Sequence, residues 1–386
     1  MIKLTQYCQG GYPMQKRLFE NLGAEASVLG FGCMRFPMKD GKIDEKEAER
    51  LLDRAMQAGV NYYDTAYPYH DGDSEPFVGK ALKKYDRESF FLATKLPIWK
   101  LDSIEDVERI FNDQLERLGV DYVDFYLLHA VDAEKWKTIL DLGILDYCDN
   151  LKKEGKIRYF GFSFHDEYEA FEEIISYRKW DFVQLQLNYI DIREQAGLRG
   201  VDLCNKLGVP IIVMEPVKGG TLAKLPDEVE AKFKAVDPEA STASWAMRWC
   251  GTLPGVKVIL SGMSTMEQVE DNLKTFSDFK ELNESEKALV KEVEDTLNSR
   301  MRNGCTDCRY CLPCPVGVNI PANFDRWNRY AVYGNVENAK ERWANFKDEE
   351  KAHNCIECGA CEAKCPQKIS IRADLKALQE EMDNLK

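Results

Sequence analysis

The chain has 386 residues, 44% of them hydrophobic, and a formal net charge of −14 from 52 Lys and Arg against 66 Asp and Glu. This acidity argues against nucleic-acid binding, which needs basic surface, and the lack of a long apolar run argues against a membrane span. The start, Met1–Gln6, has no charged-then-apolar leader, so the sequence predicts a cytoplasmic protein.

Residues 28–275 alternate short apolar runs with longer amphipathic stretches, which predicts strands alternating with helices. The predicted strands are Ser27–Gly32, Val60–Thr65, Phe90–Lys95, Val123–His129, Tyr159–Ser163, Phe182–Leu187, Pro210–Glu215 and Lys257–Ser261. The predicted helices are Glu45–Ala58, Glu75–Lys84, Ile104–Leu118, Asp146–Glu154, Glu167–Tyr177, Gly197–Leu207, Pro238–Cys250 and Met266–Leu273. Eight such pairs over about 250 residues predict a (β/α)8, or TIM, barrel. No G-x-G-x-x-G follows an early strand, which disfavours a Rossmann fold.

Polar residues stand at the carboxyl ends of three predicted strands, where barrel enzymes place their reacting groups. Asp64, Lys95 and His129 end the second, third and fourth strands, and Tyr69 follows Asp64 in the next loop. A Lys95 cation would lower the pKa of the Tyr69 phenol, and Asp64 would position that lysine. His129 would donate to a substrate carbonyl or share in proton relay. The alternative is a structural ion-pair network, because such networks also perturb pKa values.

The same region resembles the aldo-keto reductase family. The motifs that carry the resemblance are Asp64-Thr65-Ala66-Tyr67-Pro68-Tyr69, Ser74-Glu75, Gly79, Ala93-Thr94-Lys95, Leu127-Leu128-His129, Gly161-Phe162-Ser163, Gln186-Leu187-Asn188-Tyr189, Ser261-Gly262 and Asn272. The segment Gly30–Arg35 is similar to the branch of that family with a ferredoxin-like tail. The resemblance implies a carbonyl–alcohol oxidoreductase with Tyr69 as general acid and Lys95 and Asp64 tuning it. His129 would orient the carbonyl.

The resemblance also implies a nicotinamide site at the barrel mouth. Ser163 and Gln186 would hold the carboxamide of the nicotinamide. Two positions depart from the family pattern: Phe164 replaces an asparagine, and Met214 stands where a stacking aromatic residue is expected. These departures leave room for a different redox cofactor, such as FMN.

The predicted phosphate end of the nucleotide site also departs from the family pattern. NADP-preferring members grip the 2′-phosphate with a Lys and an Arg, where this chain has Gly262 and Gln268, with Asn272 following. Glu267 and Glu270 are adjacent, and an acidic neighbourhood disfavours a phosphate dianion. The sequence therefore favours NADH over NADPH.

Eight of the thirteen cysteines lie in two runs near the end of the chain. The runs are Cys305, Cys308, Cys311, Cys314-Pro315 and Cys355, Cys358, Cys361, Cys365-Pro366. The second run is C-x2-C-x2-C-x3-C-P, the pattern of bacterial two-cluster 4Fe-4S ferredoxins, and the first differs only in its last gap. Because the fourth cysteine of each run then serves the other cluster, Cys305, Cys308, Cys311 and Cys365 would bind one cluster. Cys355, Cys358, Cys361 and Cys314 would bind the second.

Structural zinc and disulfides are the alternatives for these cysteines, but zinc sites use pairs of C-x2-C and disulfides do not fit an intracellular chain. Helices are predicted over Glu284–Arg300, Ala322–Tyr333 and Val336–Phe346, with aromatic residues to shield the clusters. This resembles the α-helical ferredoxin arrangement and predicts two domains, a barrel over 1–282 and a linker helix with a helical iron–sulfur domain over 283–386. The other cysteines, predicted as buried apolar thiols, are Cys8, Cys33, Cys148, Cys204 and Cys250.

Several functions remain compatible with these features. The first is an enzyme acting on a small carbonyl or alcohol with NAD(P)H, whose clusters pass electrons or brace the fold. The second is a flavin-containing reductase, or an electron-transfer subunit, linked to a ferredoxin-like carrier. Trp99, Trp136 and Met214 predict a partly apolar substrate pocket.

Overall fold

The computed structural model describes residues 14–385, so Cys8 and the start of the chain lie outside the described residues. The strands are β1 (Lys16–Phe19), β2 (Ala24–Ser27), β3 (Leu29–Gly32), β4 (Met38–Lys39), β5 (Lys42–Ile43), β6 (Tyr62–Asp64), β7 (Phe91–Leu96), β8 (Val123–Val131), β9 (Ile157–Phe164), β10 (Phe182–Gln186), β11 (Ile211–Met214) and β12 (Val256–Ser261). Strands β3 and β6–β12 form a closed parallel barrel in which β12 pairs with β3. The predicted barrel is confirmed.

The α-helices of the described residues are α1 (Glu45–Gln57), α2 (Ser74–Leu82), α3 (Ile104–Leu118), α4 (Ala133–Asp141), α5 (Ile144–Lys153), α6 (Tyr168–Tyr177), α7 (Gly197–Leu207), α8 (Asp227–Val236), α9 (Thr242–Thr252), α10 (Met266–Ser277), α11 (Glu284–Ser299), α12 (Ile320–Tyr333), α13 (Val336–Ala344) and α14 (Ile371–Asp383). Local signals fix their ends. In α3, Ser103 and Asp106 form a capping box and Gly119 takes a left-handed C-cap with φ 63°.

Side chains in the barrel strands alternate between two apolar layers. Tyr62, Phe125 and Phe182 fill the interior, whereas the other face of each strand packs against the helices. The β1–β2 hairpin, which the sequence did not predict, adds Phe19 to the interior with its ring 5.6 Å from that of Phe125. The alternation directs the last inward residue of each strand toward the carboxyl-end mouth of the barrel.

The described chain forms two compact units. One contains the described residues up to Leu222 together with Ala243–Lys287, and the other contains Ala223–Thr242 and the residues from Ala288 onward. The first unit holds the barrel. In the second, α12, α13 and α14 surround a core that includes Phe324, Trp343 and Leu378.

Helices α4, α8 and α14 were missed by the sequence reading, although α4 carries a clear start signal. Asp132 caps it by accepting a hydrogen bond from the backbone N–H of Lys135. None of the helices over residues 14–385 combines the length and apolar character that a membrane crossing requires. Cys33, Cys148, Cys204 and Cys250 are buried, as expected for apolar thiols.

Candidate functional site

The structure brings the four predicted catalytic residues together at the carboxyl end of the barrel. Asp64 ends β6, Lys95 lies in β7 and His129 in β8, all at inward-facing positions. Tyr69 begins a short 3-10 turn after β6, and its ring lies 4.7 Å from the Lys95 Nζ atom. One side chain from each of three neighbouring strands and one from the intervening loop therefore share a single site.

The Lys95 ammonium group joins the members of this site. Its Nζ atom donates to Asp64 Oδ1 at 2.5 Å, to the Thr65 carbonyl at 2.8 Å and to Tyr69 Oη at 3.1 Å. These contacts use all three of its donors, and the side chain is only 1% exposed. Burial opposes the charged form, but Asp64 and Tyr69 outweigh it and raise the pKa of Lys95. The lysine is therefore a cation at neutral pH.

A residue that the sequence reading missed supports the other oxygen of Asp64. Gln184, in β10 on the far side of the barrel, donates from Nε2 to Asp64 Oδ2 at 3.0 Å. Its inward position two residues before Gln186 is readable from strand alternation, but its contact across the barrel is not. With one oxygen on Lys95 and the other on Gln184, the Asp64 carboxylate is held in one orientation.

Tyr69 differs from expectation in its acidity. Burial raises the pKa of its phenol, and the Lys95 cation opposes this only in part, so the net pKa lies above the usual value. Lys95 therefore lowers the pKa of Tyr69 as expected, but burial of the phenol contributes more than the cation. The phenol is fully protonated at neutral pH, as a proton donor must be.

His129 is held in the neutral form. Burial, followed by the positive charges of Lys95, His165 and Lys135, holds its pKa well below the usual range. Its ring lies 6.0 Å from that of Tyr69 and 5.0 Å from that of Trp99, and its Nδ1 atom is buried without a hydrogen-bond partner in the described structure. A neutral imidazole can donate one hydrogen bond to a substrate oxygen placed beside Tyr69.

The suppressed basicity of His129 predicts an acid-sensitive fold. Because an unfolded imidazole titrates near pH 6.5 and the folded one resists protonation, the unfolded chain gains a proton that the folded chain does not. We expect the free energy of unfolding to decline as pH falls below about 6.5, with the His129 contribution fully present above it. Denaturant titrations across this range measure the slope. His129→Asn should flatten it, and an equal slope in both proteins contradicts the assignment.

Of the predicted pocket aromatics, the structure places only Trp99 beside the catalytic residues. Trp99 is 48% exposed and covers one side of His129. Trp136 instead lies in α4, where its ring packs against Tyr177 and Trp180 at 5.1 and 6.3 Å. Of these two tryptophans, only Trp99 therefore contacts a residue of the predicted catalytic set.

The predicted carboxamide-binding residues lie on the next two strands. Ser163 in β9 is buried, and its Oγ accepts a hydrogen bond from the Ala130 backbone at 2.8 Å. Gln186 ends β10 and donates weakly to Asp191 at 3.4 Å. Phe164 is turned to the helix side of β9, with its ring 5.2 Å from that of Phe171, so this departure from the family pattern lies in the outer core.

An ion pair that was not predicted from the sequence lies next to Gln186, with its carboxylate buried and its lysine partly buried. Lys218, after β11, donates to both oxygens of Asp191 at 2.5 and 2.6 Å, and Asn188 donates to the same carboxylate at 2.9 Å. Asp191 and Lys218 are 27 positions apart and follow the neighbouring parallel strands β10 and β11, whose pairing brings them together. This pair fixes the loops that follow β10 and β11.

The predicted nucleotide residues at the end of β12 are also brought together. Asn272 in α10 donates to Ser261 Oγ at 2.9 Å, and Gln268 Oε1 accepts from the Ser264 backbone at 2.7 Å. Gly262 lies between them, and Met214 ends the neighbouring strand β11. The Gln268 side chain is thus engaged within its own loop.

The two cysteine runs meet around one cavity in the second unit. Cys311 and Cys314 from the first run and Cys355, Cys358 and Cys361 from the second all line it. Six of the eight cysteines pack against the aromatic core of α12–α14: Cys305, Cys311, Cys314, Cys355, Cys361 and Cys365. Within residues 14–385 no three His, Cys, Asp or Glu side chains are arranged around a single-ion position. A sulfur-lined cavity with apolar walls fits an iron–sulfur cluster in its donor chemistry.

The two runs approach each other at more than one point, and Cys311 shares the cavity with cysteines of the second run. The cavity contains Cys314 together with the first three cysteines of the second run. On the other side, burial first raises the pKa of Cys305, and the nearby Cys308 and Cys365 add to that rise. The last cysteine of each run therefore lies near the first cysteines of the other.

Comparison with known proteins agrees with this architecture. The model of the aldo/keto reductase family matches residues 28–295, and the model of the 4Fe-4S dicluster domain matches residues 304–369. An L-galactose dehydrogenase from Arabidopsis thaliana is 26% identical over 74% of the chain and 94% of its own length. An NADH-specific methylglyoxal reductase from Escherichia coli is 26% identical over 70% and 95%. An aldo-keto reductase from Bacillus halodurans in its holo form superposes with a TM-score of 0.62 at 28% identity, covering 72% of this chain and 96% of that one.

Proposed function

Since the chain belongs to the aldo/keto reductase family and carries a 4Fe-4S dicluster domain, we propose that its barrel interconverts a small carbonyl compound and the corresponding alcohol with a nicotinamide cofactor. The observation that carries this proposal is the Lys95 ammonium group, bonded at once to Asp64 and Tyr69 beside a neutral His129. A purely structural ion pair does not require a phenol and an unpaired imidazole at the same barrel mouth.

A nicotinamide held at the barrel mouth would supply or accept the hydride, and the side chains of this site handle the proton. In the reductive direction His129 donates a hydrogen bond to the carbonyl oxygen and so orients it toward Tyr69. As that oxygen becomes an alkoxide it turns into a strong base, because an alcohol is a far weaker acid than a phenol. Proton transfer from Tyr69 is then favourable even though burial has raised the pKa of the phenol.

Lys95 and Asp64 act on the tyrosine after the proton has left. The Lys95 ammonium already contacts Tyr69 Oη at 3.1 Å, so it stabilises the phenolate without rearrangement. Asp64 balances the lysine charge in a dry site, which keeps the ammonium protonated and in place. In the oxidative direction the same phenolate takes the proton from the alcohol.

We further propose that the tail binds two 4Fe-4S clusters, one held by Cys305, Cys308, Cys311 and Cys365 and the other by Cys355, Cys358, Cys361 and Cys314. The cavity that gathers Cys314 with the second run supports this assignment. A cluster exchanges one electron at a time, whereas nicotinamide exchanges a hydride. We also propose that the protein is cytoplasmic, as the sequence analysis predicts.

Titration of the anaerobically purified protein with NADH and NADPH tests the proposed cofactor. We expect NADH to bind at least as tightly as NADPH, because Gly262 and Gln268 supply no cation for a 2′-phosphate. The E. coli relative, whose name specifies NADH, points the same way. A clear preference for NADPH would mean that another cation reaches that phosphate.

The same preparation distinguishes the ferredoxin-linked alternative. If the barrel holds FMN and draws electrons through the clusters from a ferredoxin-like carrier, the protein should release a flavin on denaturation and bind neither nicotinamide nucleotide. If the proposal holds, the denatured extract contains no flavin, and NADH oxidation depends on an added carbonyl compound.

A further inference from the structure

The loop after β3 carries an arginine whose side chain crosses two neighbouring loops at the barrel mouth. A Cβ atom placed on Gly262 would lie 2.7 Å from Arg35 Cγ, so the arginine stem rests directly on that glycine. A Cβ atom on Gly219 would lie 3.6 Å from Arg35 Nη2, so the guanidinium extends to the loop after β11. Ser264 fixes the arginine backbone by donating from Oγ to the Arg35 carbonyl at 2.6 Å.

This guanidinium is an uncommitted positive charge. Across residues 14–385 Arg35 has no carboxylate within ion-pair distance, although Glu215 Oε2 lies 3.6 Å from the same Gly219 position. Lys218, the other cation of this loop, is already neutralised by Asp191 at 2.5 Å. From Arg300 onward there are 14 Lys and Arg against 13 Asp and Glu, a net charge of +1, so the residues before Arg300 carry a net charge of −15. An anionic ligand at the mouth of an acidic barrel needs a cation, and Arg35 is free to supply one.

The loops that Arg35 crosses are open to a close approach by an anion. Lys218, Gly219 and Gly220 have φ values of 49°, 63° and 94°, so the loop makes a tight left-handed turn in which the N–H groups of Lys218 and Gly220 donate to the Glu215 and Val217 carbonyls. Neither glycine places a side chain over the backbone.

We propose that Arg35 binds the diphosphate bridge of the nicotinamide dinucleotide, the part common to NADH and NADPH. The inference rests on the proposed nicotinamide dependence of the barrel. A guanidinium pairs with phosphate oxygens through two parallel hydrogen bonds, which suits a bridge held between two loops. Glycine at position 262 leaves room for the Arg35 stem, since a Cβ atom there would lie 2.7 Å from Arg35 Cγ.

The diphosphate is favoured over the 2′-phosphate by the surroundings. Glu267 lies in the first turn of α10, next to Gln268, where it would repel a terminal dianion. The Arg35 guanidinium instead extends to the loop after β11, where Nη2 lies 3.6 Å from a Cβ atom placed on Gly219.

Arg35→Ala tests the inference, with Lys39→Ala as the matched control because Lys39 is an exposed cation of the neighbouring strand β4. We expect Arg35→Ala to raise the Kd of NADH and of NADPH by the same factor, about tenfold or more, as for a lost charge-assisted hydrogen bond. The KM for nucleotide should rise while kcat at saturation is kept, and Arg35→Lys should recover part of the affinity. Lys39→Ala should match the wild type.

The other outcomes separate this inference from the proposed function. Unchanged affinity for both nucleotides in Arg35→Ala, with a wild type that binds them, overturns the role of Arg35 alone. Loss of NADPH affinity without loss of NADH affinity assigns Arg35 to the 2′-phosphate and also overturns it. A wild-type chain that binds neither nucleotide overturns the proposed function, and this inference with it.

Discussion

Replacing Tyr69 with phenylalanine is expected to lower turnover by about 10²- to 10⁴-fold, the usual contribution of a positioned general acid. The substitution removes only the phenolic oxygen, which contacts Lys95 Nζ at 3.1 Å. Without it the alkoxide formed by hydride transfer has no proton donor at that position. Steady-state kcat for a carbonyl substrate, found by screening with NADH, measures the effect, and nucleotide titration shows whether binding is retained.

Tyr67→Phe provides the control, because it removes a phenol from the same segment. The Tyr67 hydroxyl donates to Asp113 at 2.9 Å and accepts from Arg117 at 3.1 Å, on the helix side of the barrel rather than in its mouth. We expect its kcat to match that of the wild type. Near-wild-type rates for Tyr69→Phe on every active substrate would contradict the assignment of the proton donor, and an equal loss in Tyr67→Phe would point to disturbance of the loop.

The barrel could be predicted from the chain because its signals are local. Each strand is a short apolar run closed by a polar residue, and Asp64, Lys95 and His129 mark three of these ends. Once the strands close into a parallel barrel, their carboxyl ends must share one mouth. Bringing these three residues together therefore required only the strand assignment.

Contacts that depend on closure could not be predicted in the same way. Gln184 reaches Asp64 across the barrel. Arg35 lies on Gly262 because the last barrel strand, β12, pairs with the first, β3. Neither pairing leaves a trace in local sequence. The short β1–β2 hairpin was missed for a different reason, since the predicted strand Ser27–Gly32 joined the end of β2 to β3.

The acidity of Tyr69 shows where residue chemistry alone misleads. The neighbouring Lys95 predicts a lowered pKa, and that effect is present in the structure. The larger effect is burial of the phenol, which depends on tertiary packing and so cannot be read from the local sequence. The direction of a pKa shift therefore followed from the fold rather than from the motif.

If each cluster takes its fourth cysteine from the other run, the proposed ligand sets predict which pairs of substitutions remove one cluster and which remove two. The wild type should contain about eight iron atoms per chain, from two clusters of four. In Cys314→Ala/Cys358→Ala both changes fall on one proposed cluster, so about four iron atoms should remain. In Cys308→Ala/Cys314→Ala the changes fall on different clusters, so most of the iron should be lost although the number of cysteines is the same.

Iron and acid-labile sulfide analysis of the anaerobically reconstituted proteins decides between these arrangements. If each run instead bound its own cluster, the two double variants would exchange their results. Zinc in place of iron would contradict both arrangements. Because metal-site binding energy is also folding energy, the variant that keeps one cluster should keep more of the α12–α14 core than the variant that loses both. That core contains Trp327 and Trp343, so its near-ultraviolet circular dichroism measures how much of it remains folded in each variant. The stability of the core therefore tests the same ligand assignment independently of the iron content.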